Sequence, residues 1–322
     1  MRRLFANANY DFINPRRKAY IISAAAILIS IGAAVFWQVN QGSWINYGVD
    51  FSGGSIIQIG MTGEPVQVAE VRRVAAGAVP GATVIEFGDA NDFMIRTPGT
   101  ESDVATEASR AVMAALHAEF GAENVTLARE ESVGAKVGGE LQTRALAAIL
   151  ISLMATLIYI AFRFEWRFGV AAIIATLHDI VLTLGFISIL RLEVSLTTVA
   201  AVLTILGYSL NDTIVIFDRI RENLLTAKRG EFIATLNRSI NDTLPRTVLT
   251  TGTTLATLLA LYLFGGVIIR DFALILIAGI LLGTYSSVFV AAPALLEIEK
   301  RFPHEQKLAR RPRGTVAKPS RV

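Results

Sequence analysis

The run GYSLNDTIVIFDRIRE, residues 207–222, places an amide and a carboxylate side by side inside an otherwise apolar stretch. Asp212 stands well inside the segment that opens at Ser195. The apolar sequence resumes after it as TIVIF, more than another helical turn, so Asp212 does not simply mark the segment's end. A carboxylate at that depth is costly unless it is paired, reaches water through a cavity or carries a proton. Reversible protonation is the chemistry open to it. Asn211, its neighbour, is a secondary relay or structural group. Arg246 follows Pro245 at the start of the next apolar segment, and proline favours a first helical turn. It is the natural counter-charge, in an ion pair that opens when Asp212 takes up a proton. An interfacial arginine can also send its head to lipid phosphate, which is the plainer account.

Hydroxyls crowd the same region. Thr250 and Thr253 lead a set in LTTGTTLATLL, and Ser209 and Thr213 flank the Asn–Asp pair. Such groups bond to the carbonyls one turn back, or hold water in a proton wire. Gly207 and Gly252 would let the two helices approach closely. Asp179, in the preceding apolar segment, is a second relay candidate or a structural acceptor. His178 is adjacent to it, and adjacent residues do not face each other on a helix, so the two are not expected to form a dyad. Three histidines and no cysteine give metal binding little support, and no cofactor is implied. Asp50, Gly53 and Gly54, in YGVDFSGG, lie where the chain leaves the membrane for a strand. The glycine spacing fits neither a dinucleotide fingerprint nor a phosphate loop. A hinge with a turn or close backbone approach is the expected role.

The elements that must position these residues are mostly membrane helices. The chain has 322 residues, 53% hydrophobic, and six runs long enough to cross a hydrocarbon layer. They fall near 19–39, 141–162, 168–190, 195–217, 245–264 and 272–296. The first is a retained helix rather than a signal peptide, because Phe36, Trp37 and Gln38 close it without a small-x-small cleavage pattern. Trp37 and Trp44 suit the membrane–water interface. Residues 40–138 form the one long loop, in which acidic residues outnumber basic ones. Strand-like stretches near 47–60, 82–88, 92–97 and 124–129 alternate with helix-like stretches near 66–78 and 101–119. That β-α-β-β-α-β order is the ferredoxin-like arrangement. Residues 218–244 read as a hydrophilic loop with an apolar stripe through Phe232, Ile233, Leu236 and Ile240, able to lie on a membrane surface. The tail, 297–322, is basic.

Charge sets the orientation. With the N-terminus inside, the inner regions 1–18, 163–167, 218–244 and 297–322 hold twenty Lys and Arg, whereas each short outer turn holds one, Arg191 or Arg270. Both termini therefore face the cytoplasm, and residues 40–138 face out. The division is an N-terminal segment with the first helix (1–39), an outer α/β domain (40–138), a five-helix bundle (139–296) and the tail. The tail's charge is explained by topology, with anionic lipid as its natural contact and no nucleic acid expected.

Three stretches carry a family resemblance: YGVDFSGG at 47–54, GYSLNDTIVIFDRIRENL at 207–224 and SINDTLPRTVLTTGTTL at 239–255. With six membrane segments and one large outer domain after the first, the chain resembles the SecF family of the bacterial SecDF export complex over roughly residues 1–300. The resemblance implies a resistance-nodulation-division (RND) type core in the bacterial inner membrane. It implies a heterodimer with a SecD-like subunit, contact with the SecYEG translocon and YajC, and exported polypeptides as clients. It also implies coupling of the proton-motive force to late translocation, with the family's intramembrane aspartate at Asp212 and its arginine at Arg246. No enzymatic activity is implied. Two other readings remain open: a scaffold subunit without its own proton path, and a small-molecule exporter of RND type, against which the small outer domain counts.

Overall fold

The computed structural model describes residues 8–86, 91–98, 102–228 and 230–303. Arg2, Arg3, Arg229 and the tail beyond residue 303 lie outside the described residues.

Among the described residues, six helices are long and apolar enough to cross a membrane. They are α1 (Arg16–Gln41), α5 (Ala135–Arg163), α6 (Trp166–Ile189), α7 (Leu196–Leu224), α8 (Phe232–Phe264) and a last span. That span is built from α9 (Gly266–Ser286), a π-helical turn (Ser287–Ala291) and α10 (Ala292–Arg301). The expected segments are all present, but two are longer than hydropathy indicated. The stretch 218–244 is mostly helix: α7 runs on to Leu224 and α8 begins at Phe232, so the connection shortens to 225–231. On either side of that connection the polar residues mark departure from hydrocarbon, not departure from helix. For the same reason Pro245 is not in a first turn but inside α8. There it has no N–H to offer the carbonyl of Asn241.

Helices α6, α7 and the last span form the bundle's interior, while α1, α5 and α8 bury far less of their surface. Close approach of α9 to α7 depends on Gly279 and Gly283, a small-xxx-small pair. A Cβ on Gly279 would meet Ile205 at 2.2 Å, and one on Gly283 would meet Ser209 at 2.7 Å. Gly207 and Gly252 do not serve this purpose. Nothing lies within 4 Å of a Cβ at either, because both sit on open faces. At the inner side, Asn237 and Asn241 of α8 fasten the N-terminal segment. Asn237 Oδ1 accepts the Phe12 and Ile13 amides, and Asn241 Oδ1 accepts that of Tyr10.

Between α1 and α5 lies the outer domain. A stalk of β1 (Asn46–Tyr47) and the short helix α2 (Val49–Ser52) precedes β2 (Gly54–Met61), α3 (Val68–Ala78), β3 (Thr83–Glu86), β4 (Asp92–Thr97), α4 (Ser102–Phe120) and β5 (Val125–Val133). The sheet is antiparallel in the order β3-β4-β2-β5, the ferredoxin-like arrangement. Alternation along the strands sends Ile57, Ile59, Val84, Phe93 and Ile95 to one face. There they pack with Val71 and Ala75 of α3 and Val112 and Leu116 of α4. The expected strand over 47–60 is interrupted. β1 instead pairs in parallel with β6 (Glu193–Val194), in the turn between α6 and α7. Gly53 and Gly54 then redirect the chain at φ 75° and 125°, which side chains rarely tolerate.

Candidate functional site

Helix α7 is set by its start. Ser195 caps it, its hydroxyl accepting the Thr198 amide, and Asp50 of the stalk accepts the Leu196 amide at 2.9 Å. A carboxylate at that end also complements the helix dipole. The buried face of α7 then carries Ser209, Asp212 and Thr213 toward the interior.

Asp212 is 4% exposed, and its Oδ2 is sealed from solvent without a hydrogen-bond partner. On α8, which packs against α7, Thr247 Oγ1 is likewise sealed and unpartnered. Arg246 is close enough for its charge to act on Asp212, but the two form no direct ion pair, and Arg246 lies on an exposed face. Asn211, Thr250 and Thr253 are exposed as well. Thr250 and Thr253 donate to the carbonyls of Arg246 and Leu249, one turn back on their own helix. Sequence placed these groups together. The structure buries Asp212 and ranges Arg246, Asn211, Thr250 and Thr253 along the open side of α7 and α8.

Asp179 has the opposite surroundings. It is fully buried and accepts from the hydroxyls of Ser209 on α7 and Ser286 on α9, the latter at 2.7 Å. The expectation that His178 and Asp179 do not interact is overturned: His178 Nδ1 lies 3.0 Å from Asp179 Oδ1. Neighbours on a helix diverge at Cβ, but a ring and a carboxylate are long enough to meet sideways. The imidazole also reaches Ser23 of α1, and Ser23 meets Tyr285, whose hydroxyl donates to the Ala19 carbonyl. Beside this network, Thr213 and Ser287 share a hydrogen bond at the first residue of the π turn, an irregularity often found at functional sites. Ser23, Ser286, Ser287 and Tyr285 were missed from sequence. Their only signal was a hydroxyl inside an apolar run. Among the described residues, no cluster of His, Asp or Glu is arranged to hold a metal ion.

Among the described residues, six membrane helices, two buried carboxylates in their midst and a ferredoxin-like domain define a polytopic membrane protein of transport type. Residues 112–301 match the family of protein export membrane proteins SecD/SecF, C-terminal. The chain is 46% identical to the protein translocase subunit SecF of Gemmatimonas aurantiaca, over 94% of this chain and 91% of that one. It is 42% identical to SecF of Desulfurispirillum indicum, over 94% and 96%. Among solved structures it resembles SecDF, a translocon-associated membrane protein from Thermus thermophilus, with a TM-score of 0.76 and 38% identity. That match covers 92% of this chain and 39% of the SecDF chain. The super-membrane-facing form of SecDF gives a TM-score of 0.65. This chain belongs to the SecF family, as a multi-pass protein of the bacterial inner membrane with a periplasmic domain.

Proposed function

We propose that this chain is the SecF subunit of a Sec export complex and that Asp212 couples the proton gradient to late steps of translocation. The observation that carries the reading is the sealed, unpartnered Oδ2 of Asp212. A carboxylate held without donors has little to lose on taking up a proton, and much to lose by staying charged in hydrocarbon. The RND-type fold and the SecF relatives supply the context in which such a switch would act.

The open polar stripe supports a partner within the membrane. Arg246, Asn211, Thr250 and Thr253 are exposed on the isolated chain, and a lipid-facing guanidinium is expensive. Gly207 and Gly252 lie on the same open faces of α7 and α8 and offer room for a close neighbour. A SecD-like subunit is the occupant this reading assigns, in keeping with a match that covers 39% of the SecDF chain. SecYEG, YajC and exported polypeptides are the further contacts of such a complex. Anionic lipid suits the basic inner surface.

The test is Asp212→Asn in the reconstituted complex. Assembly should persist while export loses its stimulation by a proton gradient. Gradient-stimulated export at the normal rate would leave only the scaffold role. One observation favours a structural role elsewhere: Asp179 is saturated by donors, so it serves the bundle rather than the proton path.

A further inference from the structure

We infer that Arg96 and Glu193 are positioning residues, and that their ion pair is the link through which the helix carrying Asp212 sets the orientation of the periplasmic sheet. The inference rests on the proposed proton coupling only for its consequence in export.

The stalk is fixed to the bundle. β1 pairs with β6, Gly48 donates to the Val194 carbonyl at 2.9 Å, and Asp50 holds the first amide of α7. Ser188 and Arg191 donate to the carbonyls of Trp44 and Ser43. Beyond the stalk, two glycine-bearing joints connect the sheet to this fixed base. One is Gly53–Gly54, at positive φ; the other is Gly134, between the end of β5 and the start of α5. Such joints permit rocking.

Arg96 on β4 crosses this gap to Glu193, in the turn just before α7. The domain's other ion pairs among the described residues, Arg73–Glu70, Arg73–Glu119 and Arg129–Glu131, stay within it. Both partners of the crossing pair are about three-quarters shielded from solvent, at 24% and 29% side-chain exposure, so screening is reduced. Glu193 borders a cleft of about 230 Å³ between the open face of the sheet and the outer ends of the helices, lined also by Gln58, Met94, Ser195 and Asp271. Glu193 is held from its other side too. Its Oε1 would lie 2.3 Å from a Cβ on Gly48, so only glycine leaves the carboxylate where it is. Glu193 stands three residues before Leu196, the first residue of α7, and its carbonyl accepts from Thr198 within that helix. A displacement of α7 therefore moves Glu193, and Glu193 pulls on the sheet.

The chain has no cysteine, so introduced ones report cleanly. Spin labels at Ala118→Cys on α4 and Leu190→Cys at the outer end of α6 measure the domain's orientation in the complex with the partner subunit. Arg96→Gln should broaden the distance distribution, and Arg96→Glu combined with Glu193→Arg should narrow it again. Gly48→Ala keeps both charges, displaces the Glu193 carboxylate and should broaden the distribution as Arg96→Gln does. An unchanged distribution in Arg96→Gln and Gly48→Ala overturns the inference, whatever becomes of Asp212. The same variants should lower gradient-stimulated export several-fold and leave gradient-independent export alone, with recovery in the charge-swapped pair. Export loss that the swap does not restore would also overturn it. If Asp212→Asn retains gradient stimulation while the distances respond as stated, the proton reading fails and the link stands as a static brace.

Discussion

The bundle holds two carboxylates under equal cover and in opposite circumstances. Asp179 accepts from two hydroxyls and an imidazole on α6, α7 and α9, whereas Asp212 Oδ2 accepts from nothing. The contrast arises on one helix face, since Ser209, which serves Asp179, precedes Asp212 by three residues on α7. Burial alone thus does not mark a functional acid. What separates them is the state the surroundings favour. Donors aimed at Asp179 hold it in place, and their absence at Asp212 leaves its charge to be decided by protons and by Arg246 nearby.

The largest effects should fall on opposite properties at the two sites. Asp212→Asn should abolish gradient-stimulated export while changing bundle stability by less than about 1 kcal/mol, because no hydrogen bond is lost. Asp179→Ala should do the reverse. Two hydroxyls and His178 lose their acceptor, at a cost of about 2–4 kcal/mol after some hydroxyls rebond to helix carbonyls. Denaturant titration in detergent micelles, run beside export assays in vesicles, checks both. If Asp179→Ala proves as stable as the parent, or Asp212→Asn unfolds, the distinction collapses.

A smaller effect separates the chain's own packing from its contact with a partner. A Cβ at Gly207 or Gly252 meets nothing within 4 Å in this chain, and both positions are exposed, so leucine can extend from either face. Either change should leave the isolated subunit's unfolding midpoint where it is and weaken copurification with a SecD-like partner. Leucine at Gly283 should instead damage the isolated subunit, because it strikes Ser209 and so disturbs the Asp179 network. Equal damage from all three positions would show that the open face of α7 and α8 is packed within the chain.

The reach of the sequence follows the same division. Asp212 was legible because a charge inside an apolar run stands out whatever surrounds it. The six spans and the strand order were legible because length and alternation are local properties. The donors to Asp179 were not, since a serine inside an apolar helix looks like an alanine until its partner helix is placed. The length of α8 was hidden for a different reason. Hydropathy reports where hydrocarbon ends, and Asn237 and Asn241 continue the helix past that point to hold the N-terminal segment. Arg96 and Glu193 are 97 positions apart and gave no signal, as ordinary charges on a strand and in a turn.

The smallest expected effect concerns a carboxylate in water, a third setting that sharpens the contrast between the buried two. Asp11 is exposed and accepts from the Asn14 amide at 3.1 Å and from Asn237 Nδ2 at 2.9 Å. The Asn14 backbone amide first, and then the Asn14 side chain, hold its carboxyl below the usual carboxylate value of 3.8. A depressed value means that the folded form favours the charge. The contribution is complete above the ordinary carboxylate range and is lost as pH falls through the lowered value. A spin label at Ala8→Cys should therefore report an unchanged N-terminal segment between about pH 7 and 5, and a looser one only in more acidic solution. Asp11→Asn should remove that dependence. Asn237→Ala should loosen the segment at every pH, because the Phe12 and Ile13 amides lose their acceptor. Loosening already near neutral pH in the parent chain would mean that the solvated carboxylate is not governed by its donors, and would weaken the same explanation for Asp179.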